Sequence, residues 1–186
     1  MFLLRIVEGV VSMSTKHIDR SDLVEWANHE HVHLSKLFDD LRQTFNDMAQ
    51  GELEGDALQE ALSVALDDLD GALEDMLEHF NEEEEVYFQA IEQRFPQYAS
   101  QIDALVCAHE EICKKIRTLQ QCVREYEQPM KGGYKELSAR LIALVNSLAL
   151  AVERHNKEEQ DVFEGALKHL SVDEQIALLE QKQALG

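Results

Sequence analysis

Proline and glycine are scarce, two and eight in 186 residues. So few chain breakers exclude a turn-rich β protein and fit long helices instead. Cysteine is scarce too: Cys107, Cys113 and Cys122 form an odd set without framework spacing, which points to reduced thiols rather than disulfides. Cationic residues are outnumbered, 17 Lys and Arg against 37 Asp and Glu, giving a formal net charge of −20. That balance excludes electrostatic binding to nucleic acid or to anionic membranes as a leading function. Also missing is any apolar run near the roughly 20 residues that span a bilayer. Residues 1–11 are apolar but broken by Arg5 and Glu8, and they lack the cleavage site of a secretory signal. The expectation is a cytoplasmic protein with neither nucleic acid nor membrane as a partner.

What the chain does have is 45% hydrophobic residues, arranged at helical spacing. The first 18 residues share no pattern with the rest and are expected to be an arm, disordered or belonging to a start upstream of Met13. Residues 19–186 form the expected domain. Within it, Val24, Ala27, His31, Leu34, Phe38, Leu41, Phe45 and Met48 recur at steps of three and four, which predicts a first helix from Ser21 to Ala49 with one buried stripe. Gly51 and Gly55 punctuate the link to a second helix, Asp56 to Arg94, whose stripe is Leu62, Leu66, Leu69, Ala72, Met76, His79, Glu83, Val86 and Ala90. A third stripe, Ile102, Leu105, His109, Ile112, Ile116, Leu119 and Val123, stops before Pro129, Gly132 and Gly133. The fourth is Leu137, Leu141, Leu144, Leu148, Val152, His155, Glu159, Val162 and Ala166. Ser171 and Glu174 have capping-box spacing and predict a short C-terminal helix. The fold class is therefore all-α, an antiparallel up-down-up-down four-helix bundle closed by a short helix.

Each of the four stripes contains one histidine, His31, His79, His109 or His155, and two contain a glutamate one turn later, Glu83 or Glu159. Six such groups in an apolar core each cost several kcal/mol, on the order usual for buried polar and ionic groups, unless something compensates them. The i,i+4 spacing of His79 with Glu83 and of His155 with Glu159 puts each pair on one helix face, in chelating geometry. Distances from the helix ends bring all four histidines to one layer. HFNEEEEVYF from residue 79 aligns without gaps on HNKEEQDVFE from residue 155, and nearly equal intervals separate His31 from His79 and His109 from His155. Each helical hairpin thus supplies two histidines and one glutamate, which implies two equivalent metals. A mixed imidazole and carboxylate set suits Fe, Zn, Cu or Ni, and four protein donors per metal leave open positions for chemistry.

The pattern of His31 with Leu34, Phe38 and Leu41, His79-Phe80-x2-Glu83-Glu84, His109-Glu110-x-Ile112 and His155-x3-Glu159 with Phe163 resembles the hemerythrin-like domain and its His-His-Glu cation-binding motif. The resemblance covers residues 21 to 170. It implies two non-haem iron ions bridged by Glu83 and Glu159 and by an oxo or hydroxo group. It departs from the oxygen carriers at Leu105 and Gln160, where they place a fifth histidine and an aspartate. The four-His, two-Glu set is more similar to the branch associated with iron–sulfur cluster repair and nitric oxide stress, although these residues lack that branch's cysteine-bearing N-terminal region. The implied function is binding or reduction of O2, NO or peroxide in oxidative or nitrosative stress, with an electron donor as partner. The alternative is an iron donor or store that serves an apo iron–sulfur protein. With two histidines per metal, both metals keep an exchangeable position, so rapid autoxidation is expected rather than reversible oxygen carriage.

Other residues have simpler readings. His29 and His33 form an i,i+4 pair without a carboxylate or thiol partner and read as solvated; His17 and His169 read as surface residues. Glu82, Glu84, Glu85 and Glu158 read as a solvated acidic face rather than reserve ligands. Tyr87 and Phe163 read as core packing, with Tyr87 also placed to contact a ligand. Cys113 borders its stripe four residues after His109. Ferritin-type di-iron bundles need Glu-x-x-His on two helices, and the only such spacing, Glu30 to His33, lies off the stripe.

Overall fold

The computed structural model describes the backbone of residues 21–126, 134–171, 173–174 and 177, and the side chains of these except 21–33, 134 and 167. The expected arm and the Pro129–Gly133 connection lie outside the described residues. Among the described residues there are four long helical rods. They are α1 (Ser21–Gln50), a continuous rod made of α2 (Gly55–Glu82), a π-helical segment (Glu83–Phe88) and α3 (Gln89–Arg94), then α4 (Ala99–Tyr126) and α5 (Tyr134–Leu167). α1 packs on α5, α5 on α4, α4 on α2 and α2 on α1, so the ring closes as the expected up-down-up-down bundle.

Local chemistry sets the ends of the rods. Gly51 takes the left-handed conformation (φ 75°) after α1. There its N–H donates to the Met48 carbonyl and the Glu52 N–H donates to the Asp47 carbonyl, closing the helix in a Schellman motif. The α3 rod stops at Arg94 because Pro96 disfavours helical backbone at the residue before it, and Phe95 is extended (φ −133°, ψ 72°). A 3₁₀ turn, Pro96–Tyr98, then feeds α4 directly. Beyond α5, Ser171 and Glu174 form the reciprocal capping box: the Ser171 N–H donates to the Glu174 carboxylate and the Glu174 N–H donates to the Ser171 hydroxyl. Asp173 and Glu174 are helical, as the capping spacing anticipates.

Most expected stripe positions among the described side chains are buried, but Leu66, Leu137 and Leu144 are only partly so, with Ala65, Ser138 and Val145 buried beside them, and the register also changes after Glu83. Glu83, Val86, Tyr87, Phe88 and Ile91 are buried, while Ala90, expected on the stripe, is only partly so. A π turn holds more residues than an α turn, so it lets three consecutive side chains turn inward and moves the following stripe by one position. The apolar core is also divided in two. One cluster contains Phe45, Leu62, Leu69, Met76, Phe80, Ile112, Leu119, Leu148 and Val152. The other contains Val86, Tyr87, Phe88, Ile91, Leu105, Val162, Phe163 and Ala166. The histidine and glutamate layer lies between them in sequence on each of the helices α2, α4 and α5.

Two glycines inside helices separate propensity from packing. Gly71 is exposed and a Cβ there meets no atom, whereas a Cβ on Gly165 would collide with the Tyr98 ring. Gly71→Ala should stabilise the protein by about 0.5–1 kcal/mol through helix propensity. Gly165→Ala should lose that gain and cost about 1–3 kcal/mol by displacing Tyr98. Urea unfolding of the two variants checks this, and equal stabilisation by both would show that Tyr98 yields freely.

Candidate metal centre

Five of the six expected ligands come together in the layer between the two apolar clusters. His79, Glu83, His109, His155 and Glu159 are each at most 4% exposed. α1 contains His31 in its helical backbone, but the His31 side chain lies outside the described residues.

Glu83 is the hub. One carboxylate oxygen lies 3.0 Å from His79 Nε2, on its own helix, and the other 3.2 Å from His109 Nε2, on α4. His155 and Glu159 face each other across one turn of α5, Nε2 to carboxylate oxygen 3.7 Å. Two groups of potential ligand atoms each lie within 4.8 Å: Glu83 with His109 and His155, and His79 with Glu83 and Glu159. Glu83 belongs to both. Aromatic contacts orient the rings. Phe80 stacks on His109 with centroids 3.8 Å apart and planes 5° apart, and meets His155 edge-on at 5.5 Å. Phe88 lies nearly parallel to His109 at 5.7 Å, and the His109 and His155 rings are 4.7 Å apart.

The two carboxylates differ electrostatically. Burial disfavours ionisation of Glu83, but hydrogen bonds from His109 and His79, with their positive charge, hold its carboxyl well below the ordinary carboxylate range. Burial pushes the Glu159 carboxyl well above that range, and the negative charge of Glu83 and a hydrogen bond to it add to the shift. Without a cation, two buried carboxylates in contact cannot both ionise cheaply. A cation among them favours the ionised form of both, so the donor set is chemically suited to metal.

Other candidates fall where packing puts them. Tyr87 is buried edge-on to Phe163 at 5.8 Å. Burial, with the charges of Glu82 and Glu83, raises its hydroxyl. Leu105 is buried in the second apolar cluster, Gln160 is exposed and donates to Glu164, and His169 is exposed. Cys113 is buried in the wall of a groove of about 640 Å³ between α2 and α4, outside both ligand groups. The reading of Glu84 as part of a solvated face needs correction. Its carboxylate, partly exposed, accepts a 2.7 Å hydrogen bond from His109 Nδ1. Sequence spacing hides this contact because Glu84 is on α2's rod off the histidine stripe and its partner is on another helix.

The elevated Glu159 carboxyl makes a signed prediction for the metal-free protein. A group whose folded value exceeds its unfolded value contributes stability at low pH that is lost as pH rises through the folded value. Glu159→Gln mimics the protonated acid, so it should be nearly neutral at about pH 4 and increasingly stabilising relative to the parent toward about pH 8. Urea titrations in chelator measure this; a difference that does not change with pH would disprove the shared-site argument.

No curated protein matches the chain. The family model of the Hemerythrin HHE cation binding domain matches residues 22–167, and so takes in α1, the π segment and the whole histidine and glutamate layer. A buried imidazole–carboxylate layer across a four-helix bundle, matched over most of its length, places this chain in the hemerythrin HHE cation-binding domain family.

Proposed function

We propose that the layer holds two iron ions, with His31, His79, His109 and His155 as terminal donors and Glu83 and Glu159 as bridges, and that it binds or reduces O2, NO or peroxide. The observation that carries this reading is Glu83, whose two oxygens face histidines of different helices and which belongs to both ligand groups. Pairing His109 with His155 leaves His79 and His31 for the second ion, two histidines on each, as the internal repeat suggests. Bound there, iron would supply redox chemistry and exchangeable positions.

The protein's contribution is orientation and exclusion of water. Tyr87, Phe88, Leu105 and Phe163 border the layer with apolar surface, which suits a small uncharged molecule better than a bulky or charged substrate. Glu83 and Glu159 neutralise cations that the apolar clusters alone would not accept. A role in oxidative or nitrosative stress in the cytoplasm fits such a centre. The second reading, an iron donor or store for iron–sulfur cluster repair, is favoured by the groove between α2 and α4, whose lining includes the buried His109.

Two iron atoms per chain are expected after iron-replete preparation. Glu83→Ala should lose both, because a bridge serves two ions, while exposed His169→Ala should keep both; elemental analysis giving one zinc and no iron would end the proposal. Rapid mixing of the reduced iron form with O2 or NO separates the functions. A stoichiometric spectral change, fast and not reversed by removing O2, supports ligand reduction. Iron transfer to an apo-acceptor without such a change supports the donor role, and oxygen held reversibly for many minutes would contradict the argument from Leu105.

A further inference from the structure

The two halves of the internal repeat match at His79 and His155 and at Glu83 and Glu159, but they diverge at the next residue: Glu84 aligns with Gln160. The structure gives that difference a place. Glu84 reaches from α2's rod to α4 and accepts the His109 Nδ1–H at 2.7 Å, a short charge-assisted hydrogen bond. Gln160 is exposed and donates along its own helix to Glu164. His109 is also contacted on its face and at its other nitrogen, with Phe80 stacked on it and Glu83 at its Nε2.

We propose that Glu84 is the positioning residue for His109 and strengthens the metal position that His109 serves. This rests on the metal reading of the layer. With Nδ1–H engaged by Glu84, Nε2 is the nitrogen left to serve an ion in the ligand group of Glu83, His109 and His155. A carboxylate on the far nitrogen of a ligating imidazole fixes its tautomer and orientation and makes it a stronger donor. The half of the centre containing His109 and His155 therefore binds its ion more tightly with Glu84 in place than without it. Glu84 lies at the floor of the α2/α4 groove with Phe80 and His109, its side chain 39% exposed, so this is where the buried layer meets solvent.

The test uses cobalt(II) and the full chain. Chelator competition measures the affinity of each metal equivalent, and proton NMR of the cobalt form follows the exchangeable imidazole N–H signals. Glu84→Ala should weaken one equivalent about 10–100-fold while sparing the other, and should remove or speed the exchange of one N–H signal. Glu84→Gln keeps an acceptor oxygen, so it should restore that signal and recover part of the affinity. Glu110→Ala removes the same formal charge from an exposed position in the same groove and should change neither readout. Unchanged affinity and N–H signal in Glu84→Ala, equal weakening of both equivalents, or an equal loss in Glu110→Ala would overturn the assignment. A parent protein that takes up no cobalt would overturn the metal reading itself.

Discussion

A carboxylate with no exposure to water, held between imidazoles of two helices, is the contact on which this molecule's organisation turns. Glu83 could not remain ionised at that depth without His79 and His109, and its charge in turn works against ionisation of Glu159. The pair is thus frustrated as a structural element of a metal-free bundle and suited to a cation. A cation removes the conflict by interacting favourably with both carboxylates, which is the physical content of membership in a cation-binding family.

The rest of the bundle is arranged around that layer. Apolar residues fill both sides of it, and the two hydrophobic clusters are separate instead of forming one core. The larger cluster holds α1, α2, α4 and α5 together and keeps the helices in register. The smaller one, built from α4, α5 and the π segment, borders the layer with aromatic and aliphatic surface. Stability and site are in this way assigned to different depths of the same four rods.

The π segment connects local geometry to function. It begins at Glu83, the hub, and admits Val86, Tyr87 and Phe88 to the interior together. The equivalent stretch of α5 stays α-helical, with Val162, Phe163 and Ala166 buried at ordinary spacing. The approximate twofold repeat of the sequence therefore survives at the ligands and fails just beyond them. The asymmetry extends to the carboxylate on His109, which has no counterpart at Gln160.

Helix positions, the bundle and the burial of His79, His109 and His155 were legible in the sequence, because helical periodicity records which face is buried and few prolines or glycines interrupt it. The capping box at Ser171 was equally local, and the one-turn spacing of His79 with Glu83 and of His155 with Glu159 already placed each pair on one face. Three features depended on tertiary structure. The π turn moved the buried position from Ala90 to Ile91, since accommodating three adjacent apolar side chains against α4 and α5 outweighed regular α geometry. Which imidazole meets which oxygen of Glu83 follows from how α2 and α4 cross, a quantity that no single helix encodes. Glu84, one residue off the stripe in an acidic run, acquired a buried partner only because α4 brings His109 beside it. Periodicity determines which way a side chain faces; only packing decides what it meets there.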